Sequence, residues 1–248
     1  MGKPQPRFPK AGFLCYSSPM SGIFDVIYED GDLVVVNKLA AVPVLPDKSG
    51  DESLKQFLAK SRPGKFVEPA HRLDRRTSGA VAFAKNHKSL AALSEAFRQR
   101  RVSKTYWAVV EQAPKEASGS LKHRLIHDGR KNTSRAIAAD RPGETRGDLS
   151  ELHYKLLGAS EHYWLLAVQP IQGRTHQIRA QLSAAGMPVR GDLKYGARRS
   201  TRNGLIMLHA RSMSFELSDG KALTITADPP PDEPLWSAFD AVPQASAP

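Results

Sequence analysis

The sequence predicts an α+β protein, a single domain around a mixed, largely antiparallel central sheet flanked by helices and loops. Strand-period segments dominate the chain, hairpins outnumber βαβ alternations, and only two clearly helical stretches fall between the strands.

The first element pair is the segment IFDVIYEDGDLVVVNK, residues 23–38, which reads as two short strands around a tight hairpin turn whose positive dihedrals Asp30-Gly31 would supply. Asn86 then has the chemistry of a helix cap. In the following HKSLAALSEAFRQRR, Leu90, Leu93 and Phe97 share one helical face, and Arg98, Arg100 and Arg101 fall in the final turn. VSKTYWAVVE alternates as a strand, with Lys104, Tyr106, Ala108 and Val110 on one face. HYWLLAVQP is another strand. GRTHQIRAQLSAAGMP places Ile178, Leu182 and Ala185 at helical spacing, with Gly186 and Pro188 as cap and stop. LIMLHARSMSFEL and KALTITA read as a last strand pair around Asp219-Gly220. Proline-rich, weakly patterned ends predict an extended arm over 1–22 and a tail over 228–248, with the body at 23–227.

Composition narrows the function. The 248 residues are 40% hydrophobic, enough for a real core, and 36 Lys and Arg against 25 Asp and Glu leave a formal charge of +11. That surplus favours a polyanionic partner, with nucleic acid first. The basic segments RQRR at 98–101, HRLIHDGRKNTSR at 123–135 and RGDLKYGARRSTRNG at 190–204 would suit phosphate contact and base stacking if folding gathered them. Taken singly, each reads as a solvated loop. Cys15 is the only cysteine, so an internal disulfide, a CxxC pair and a cysteine zinc site are excluded, and a reducing cytoplasm is expected. No apolar run approaches the length of a spanning helix or a signal peptide.

The chemistry centres on AHRLDRRTSG, residues 70–79, where Asp74 stands among His71, Arg72, Arg75 and Arg76. A carboxylate in a phosphate-binding surface is costly unless it acts on the substrate, and close arginines favour its charged form. Along the chain the next acids are Glu68, Asp51 and Glu52 upstream and Glu95 downstream, which weakens paired-carboxylate and two-metal chemistry. Histidines 71, 176 and 209 form no zinc motif, so no metal is expected. Neither GxGxxG after a strand nor GxxxxGK[ST] occurs, so no nucleotide cofactor is expected either.

HRLDRRTSG resembles the HRLDxxTSG signature of the RluA-type RNA pseudouridine synthases. The resemblance continues in order through VVVNK and its loop to Pro43-Val44, FRQRRVSKTYWAVV, QGRTHQIRAQLSAAGMPVRGDLKYG and LHARSMSFEL, covering roughly residues 23–217. It implies the pseudouridine synthase fold, no cofactor, and isomerisation of uridine in rRNA, tRNA or both. Asp74 would be the catalytic aspartate, Tyr106 would stack on the target base and assist loss of the C5 proton, and Arg174 would pair with Asp74. Ile178 would wall the uracil, and Arg72 would stand near the extruded nucleotide, since chemistry on a base takes it out of the stack. His71, Arg75, Lys104 and Arg179 complete the expected substrate contacts.

Leu39-Ala40 stands where the family has Pro-Gly, Gln181 where a His is common, and residues 141–157 match loosely. An S4-like RNA-binding module is not expected, because the catalytic pattern begins by Ile23. A monomer suffices. The alternatives are a non-catalytic RNA-binding or ribosome-assembly protein on the same fold, and a hydrolase pairing Asp74 with His71 or His176.

Overall fold

A computed structural model describes residues 22–216 and 222–239. The expected N-terminal arm and the Asp219-Gly220 turn therefore fall outside the described residues, apart from Gly22. In chain order the strands are β1 (Phe24–Glu29), β2 (Leu33–Lys38), β3 (Glu68–Pro69), β4 (Ser78–Ala84), β5 (Val102–Val110), β6 (Ser118–Asp128), β7 (Thr133–Ala138), β8 (Asp148–Ala159), β9 (Trp164–Pro170), β10 (Leu208–Glu216) and β11 (Ala222–Thr226). The helices are α1 (Leu54–Lys60), α2 (His87–Arg98), α3 (Gln177–Ala184) and α4 (Pro234–Ser237), with a 3₁₀ turn at Leu193–Tyr195. The fold is α+β, as the sequence predicts.

Chain contacts divide into two compact units, one from Met1–Lys104 and Ala210–Pro229, the other from Thr105–His209 and Pro230–Pro248. In the first unit β2 pairs antiparallel with both β1 and β4, β3 with β4, and β10 with β11. The β1–β2 turn is closed by Asp30, whose carboxylate accepts the Asp32 and Leu33 amides at 2.8 and 2.7 Å, and these side-chain bonds hold the turn without the positive φ expected of Asp30 and Gly31. β4 is buried along its whole length. It packs with Leu33, Val35, Leu93 and Ala96 from β2 and α2, and with Met213 and Phe215 from β10.

α2 starts at its expected cap, Asn86, in a capping box with Ser89. It stops earlier than the arginine run suggests. The Arg101 amide donates to Ala96 O and the Arg100 amide to Phe97 O, with Arg100 at φ 58°. That is a Schellman ending, so Arg100 and Arg101 lie beyond the last turn.

In the second unit β8 pairs antiparallel with β6 and β9, β6 with β7, and β9 with β5. The basic segment at 123–135 is therefore mostly a β-hairpin, β6–β7, and not a loop. Its inward residue Leu125 packs with Ala180 of α3 and Tyr195. α3 ends as expected, with Gly186 at φ 79° and the Met187 amide donating to Leu182 O. The expected extended tail is corrected in part: α4 forms at 234–237, and Trp236 and Phe239 bury in this unit's core beside Leu208. Burying two large aromatics outweighs a proline-rich context.

Candidate active site

In the first unit, loop 70–77 leads into β4 and carries Asp74. The Thr77 amide donates to Asp74 O at 3.0 Å, closing a turn that presents the Asp74 side chain half-buried, with Leu73, Thr77 and Ser78 buried beside it. The last residue of the signature has a steric reason. Gly79 has φ +113°, and a Cβ there would stand 2.4 Å from Ala210 O of β10, so only glycine lets the two backbones approach this closely.

Lys38 lies beneath this loop and is fully buried. Its Nζ donates to Leu39 O at 2.9 Å, Val42 O at 2.9 Å and Arg75 O at 3.3 Å, so three ammonium protons meet three carbonyls. Burial pushes its pKa down to about 7, while the nearby Asp74 charge favours the ammonium. A lysine in VVVNK reads as an ordinary exposed strand end, and the sequence gives no sign of this role.

Arg75 was expected at the substrate. Its Nε donates to Ala41 O at 2.8 Å, its guanidinium pairs with Asp51, and Asp47 stands 4.0 Å away. Folding thus brings two carboxylates to the guanidinium of the residue next in sequence to Asp74. Both have lowered pKa values, Asp47 first through its Ser49 hydrogen bonds and Asp51 first through Arg75.

His71 is a packing residue. Its Nε2 accepts the Ala82 amide at 3.0 Å, its ring lies 4.8 Å from that of Phe97, and burial pushes its pKa down to about 3, helped by the Lys104 charge. An imidazole with that lone pair committed is a poor general base, which removes one partner from the hydrolase reading. Lys104 stands over the Phe97 ring at 5.9 Å, its pKa lowered by burial. Arg72 and Arg76 are exposed.

The second unit holds the other expected residues. Tyr106 sits half-buried on β5 opposite Val168 of β9. Arg174 is exposed in the turn before α3, its Nη1 3.3 Å from the Asp148 carboxylate. Ile178, on α3, is 6% exposed and belongs to the core. Arg179 is also buried: its Nε and Nη2 donate to the two oxygens of Asp192 at 2.6 and 2.8 Å, and its guanidinium lies 4.7 Å from the Tyr195 ring centre. Within this unit it holds an internal ion pair, where the sequence expectation was a substrate contact.

Tyr195 OH accepts the Ser134 amide at 2.8 Å and stands 2.9 Å from His176 Nδ1, tying the β6–β7 hairpin to the GRTHQIR turn. His176 is 8% exposed and has φ 54°. Gln181 is fully buried, and its Nε2 donates to Leu121 O at 2.9 Å and Ser150 O at 3.2 Å, anchoring α3 to β6 and β8. Among the described residues no cluster of three His, Cys, Asp or Glu could hold a metal, and no helix is long and apolar enough to cross a membrane.

The sequence pattern of RNA pseudouridylate synthase matches residues 32–184, which include Asp74, Tyr106, Arg174 and Arg179. This chain belongs to the RNA pseudouridylate synthase family. An uncharacterized RNA pseudouridine synthase of Zymomonas mobilis is 33% identical over 217 residues, 86% of this chain and 94% of that protein. Ribosomal large subunit pseudouridine synthase C of Buchnera aphidicola is 31% identical over 82% of this chain, which spans 66% of that relative's length. The enzyme of that name from Vibrio parahaemolyticus is 34% identical over 77% of this chain and 61% of its own. Among solved structures, human RNA pseudouridylate synthase domain containing 1 superposes with a TM-score of 0.70 at 28% identity, covering 89% of each chain. Pseudouridylate synthases are isomerases, and membership makes RNA the substrate class of this chain.

Proposed function

We propose that this pseudouridine synthase acts on a uridine of ribosomal RNA, with Asp74 as its catalytic carboxylate. The observation that carries the assignment to Asp74 is its setting, a turn in the signature loop braced from below by the buried Lys38 Nζ. The large-subunit relatives support the RNA class, with transfer RNA as the other family target.

The reaction needs no second substrate. The C1′–N1 glycosidic bond of uridine breaks, the uracil turns, C5 bonds to C1′, the C5 proton leaves, and N1 takes up a proton, so that no atom is gained or lost overall. Asp74 acts at the sugar or base during the exchange, Tyr106 stacks on the uracil and assists removal of the C5 proton, and Ile178 walls the base. Arg72, exposed in the same loop, takes the place near the extruded nucleotide.

By resemblance Arg174, the first arginine of GRTHQIR, would pair with the Asp74 carboxylate. The enzyme would work as a monomer in the cytoplasm, where its RNA is made. To test the target, pseudouridines are mapped by carbodiimide in rRNA and tRNA from a strain lacking the protein, before and after incubation with it. A site missing from the strain's rRNA and restored by the protein is expected; restoration only in tRNA would reassign the substrate.

A further inference from the structure

We infer that Arg75 is a positioning residue that clamps the Asp74 loop to loop 39–52, and not a contact to RNA phosphate. The inference rests on the catalytic reading of Asp74.

The two loops are cross-braced in both directions. From the signature loop, Arg75 Nε reaches Ala41 O at 2.8 Å; from the end of β2, Lys38 Nζ reaches back to Arg75 O at 3.3 Å while holding Leu39 O and Val42 O. The same guanidinium is engaged by Asp51, with Asp47 at 4.0 Å. One side chain, next in sequence to Asp74, thus meets a carbonyl and two carboxylates contributed by loop 39–52.

Loop 39–52 is itself built to hold this shape. Ala41, the acceptor of the Arg75 bond, has φ 71°, a conformation that costs a non-glycine residue energy and persists only where neighbours fix it. Asp47 accepts the Ser49 amide at 2.9 Å, a turn that orders its carboxylate, and Leu54 and Lys55 of α1 donate to Pro43 O and Val44 O. The loop's far end is therefore anchored to a helix whose own start is fixed by the Ser53–Gln56 capping box. A phosphate seated on Arg75 would lie against two carboxylates, an arrangement that repels an anion.

The clamp sets where the next residue's carboxylate points, and a displacement near 1 Å at a reacting group can cost about 100-fold in rate. Arg75 and Asp51 are accordingly changed singly and together, and two quantities are read. These are the single-turnover rate of pseudouridine formation on rRNA from a strain lacking the protein, and the affinity for that RNA across salt concentrations.

Arg75→Gln is expected to lower the rate by about 10- to 100-fold with affinity and salt slope unchanged. Asp51→Asn, at an exposed position that does not threaten folding, lowers it in the same direction, and the double variant falls short of the product of the two losses. Arg75→Lys keeps the charge without the fork and stays slow.

A phosphate contact gives the opposite pattern. Arg75→Gln would weaken binding and flatten the log–log salt slope by about 0.7, Arg75→Lys would restore it, and Asp51→Asn would tighten binding without slowing the reaction. Any of these overturns the inference, as does a pair of variants that lose thermal stability at unchanged rate. An Asp74→Asn control separates the two levels. Full activity in that variant overturns the catalytic reading, whereas its inactivity beside a fully active Arg75→Gln overturns the clamp alone.

Discussion

Two arginine–aspartate pairs, one in each unit, invite comparison. Arg179 and Asp192 are 4% and 0% exposed at their side chains and meet through two hydrogen bonds. Arg75 and Asp51 are 38% and 56% exposed and share the guanidinium with a carbonyl. The chemistry of the two pairs is the same, and their surroundings differ. A buried pair is part of the fold, because removing one partner strands a charge where water cannot reach it. A half-exposed pair contributes little to stability, since solvent replaces the lost partner, and its value lies in the loop geometry it sets. Both arginines were expected to touch substrate, and each serves first to hold other residues in place.

The sharpest break in that comparison is Asp192→Ala. It takes away the carboxylate that meets Arg179 in the interior and should destabilise the protein by about 3–5 kcal/mol, read as a fall in the urea midpoint. Asp51→Asn should move the same midpoint by under about 1 kcal/mol. Equal losses from the two would mean that burial is not what separates the pairs.

A smaller effect should come from Lys38. Its folded pKa of about 7 lies below the ordinary lysine value of 10.5, so between the two the unfolded chain holds more protons and stability rises with pH. The wild type should therefore gain on Lys38→Met between about pH 7 and about pH 9.5. A constant difference would show that the three carbonyls keep Lys38 charged throughout. The smallest effect is at Ala41, where glycine relieves the left-handed strain but costs chain entropy, for a net gain of at most about 1 kcal/mol.

What the sequence made legible follows from how local each signal is. The β1–β2 turn, the Asn86 cap and the Gly186 ending are each written within a few residues and stand where expected, although the turn closes without the positive φ expected of Asp30-Gly31. β4 escaped because SGAVAFA is buried on both faces and lacks alternation, and α1 because seven residues give little periodicity. The hairpin β6–β7 was obscured by its charge: outward-facing basic residues interleave with Leu125 and Ile137, which are buried. At the proposed site, motif order singles out Asp74, Tyr106 and Arg174 as candidates, yet it could not tell an arginine that meets RNA from one that meets an aspartate. Asp51 lies 24 residues from Arg75, and no local pattern reports that the chain brings them together. Nor does any pattern mark a lysine that is fully buried beneath three carbonyls.

The central claim is that Asp74 performs chemistry on the nucleotide. Its most direct test is to incubate wild-type and Asp74→Asn proteins with rRNA from a strain lacking the enzyme, measuring both pseudouridine formed and RNA bound. The account predicts that the wild type creates a new site, while the Asn variant binds the same RNA with the same salt dependence and creates none. Pseudouridine formation by the Asn variant at the wild-type rate would contradict it.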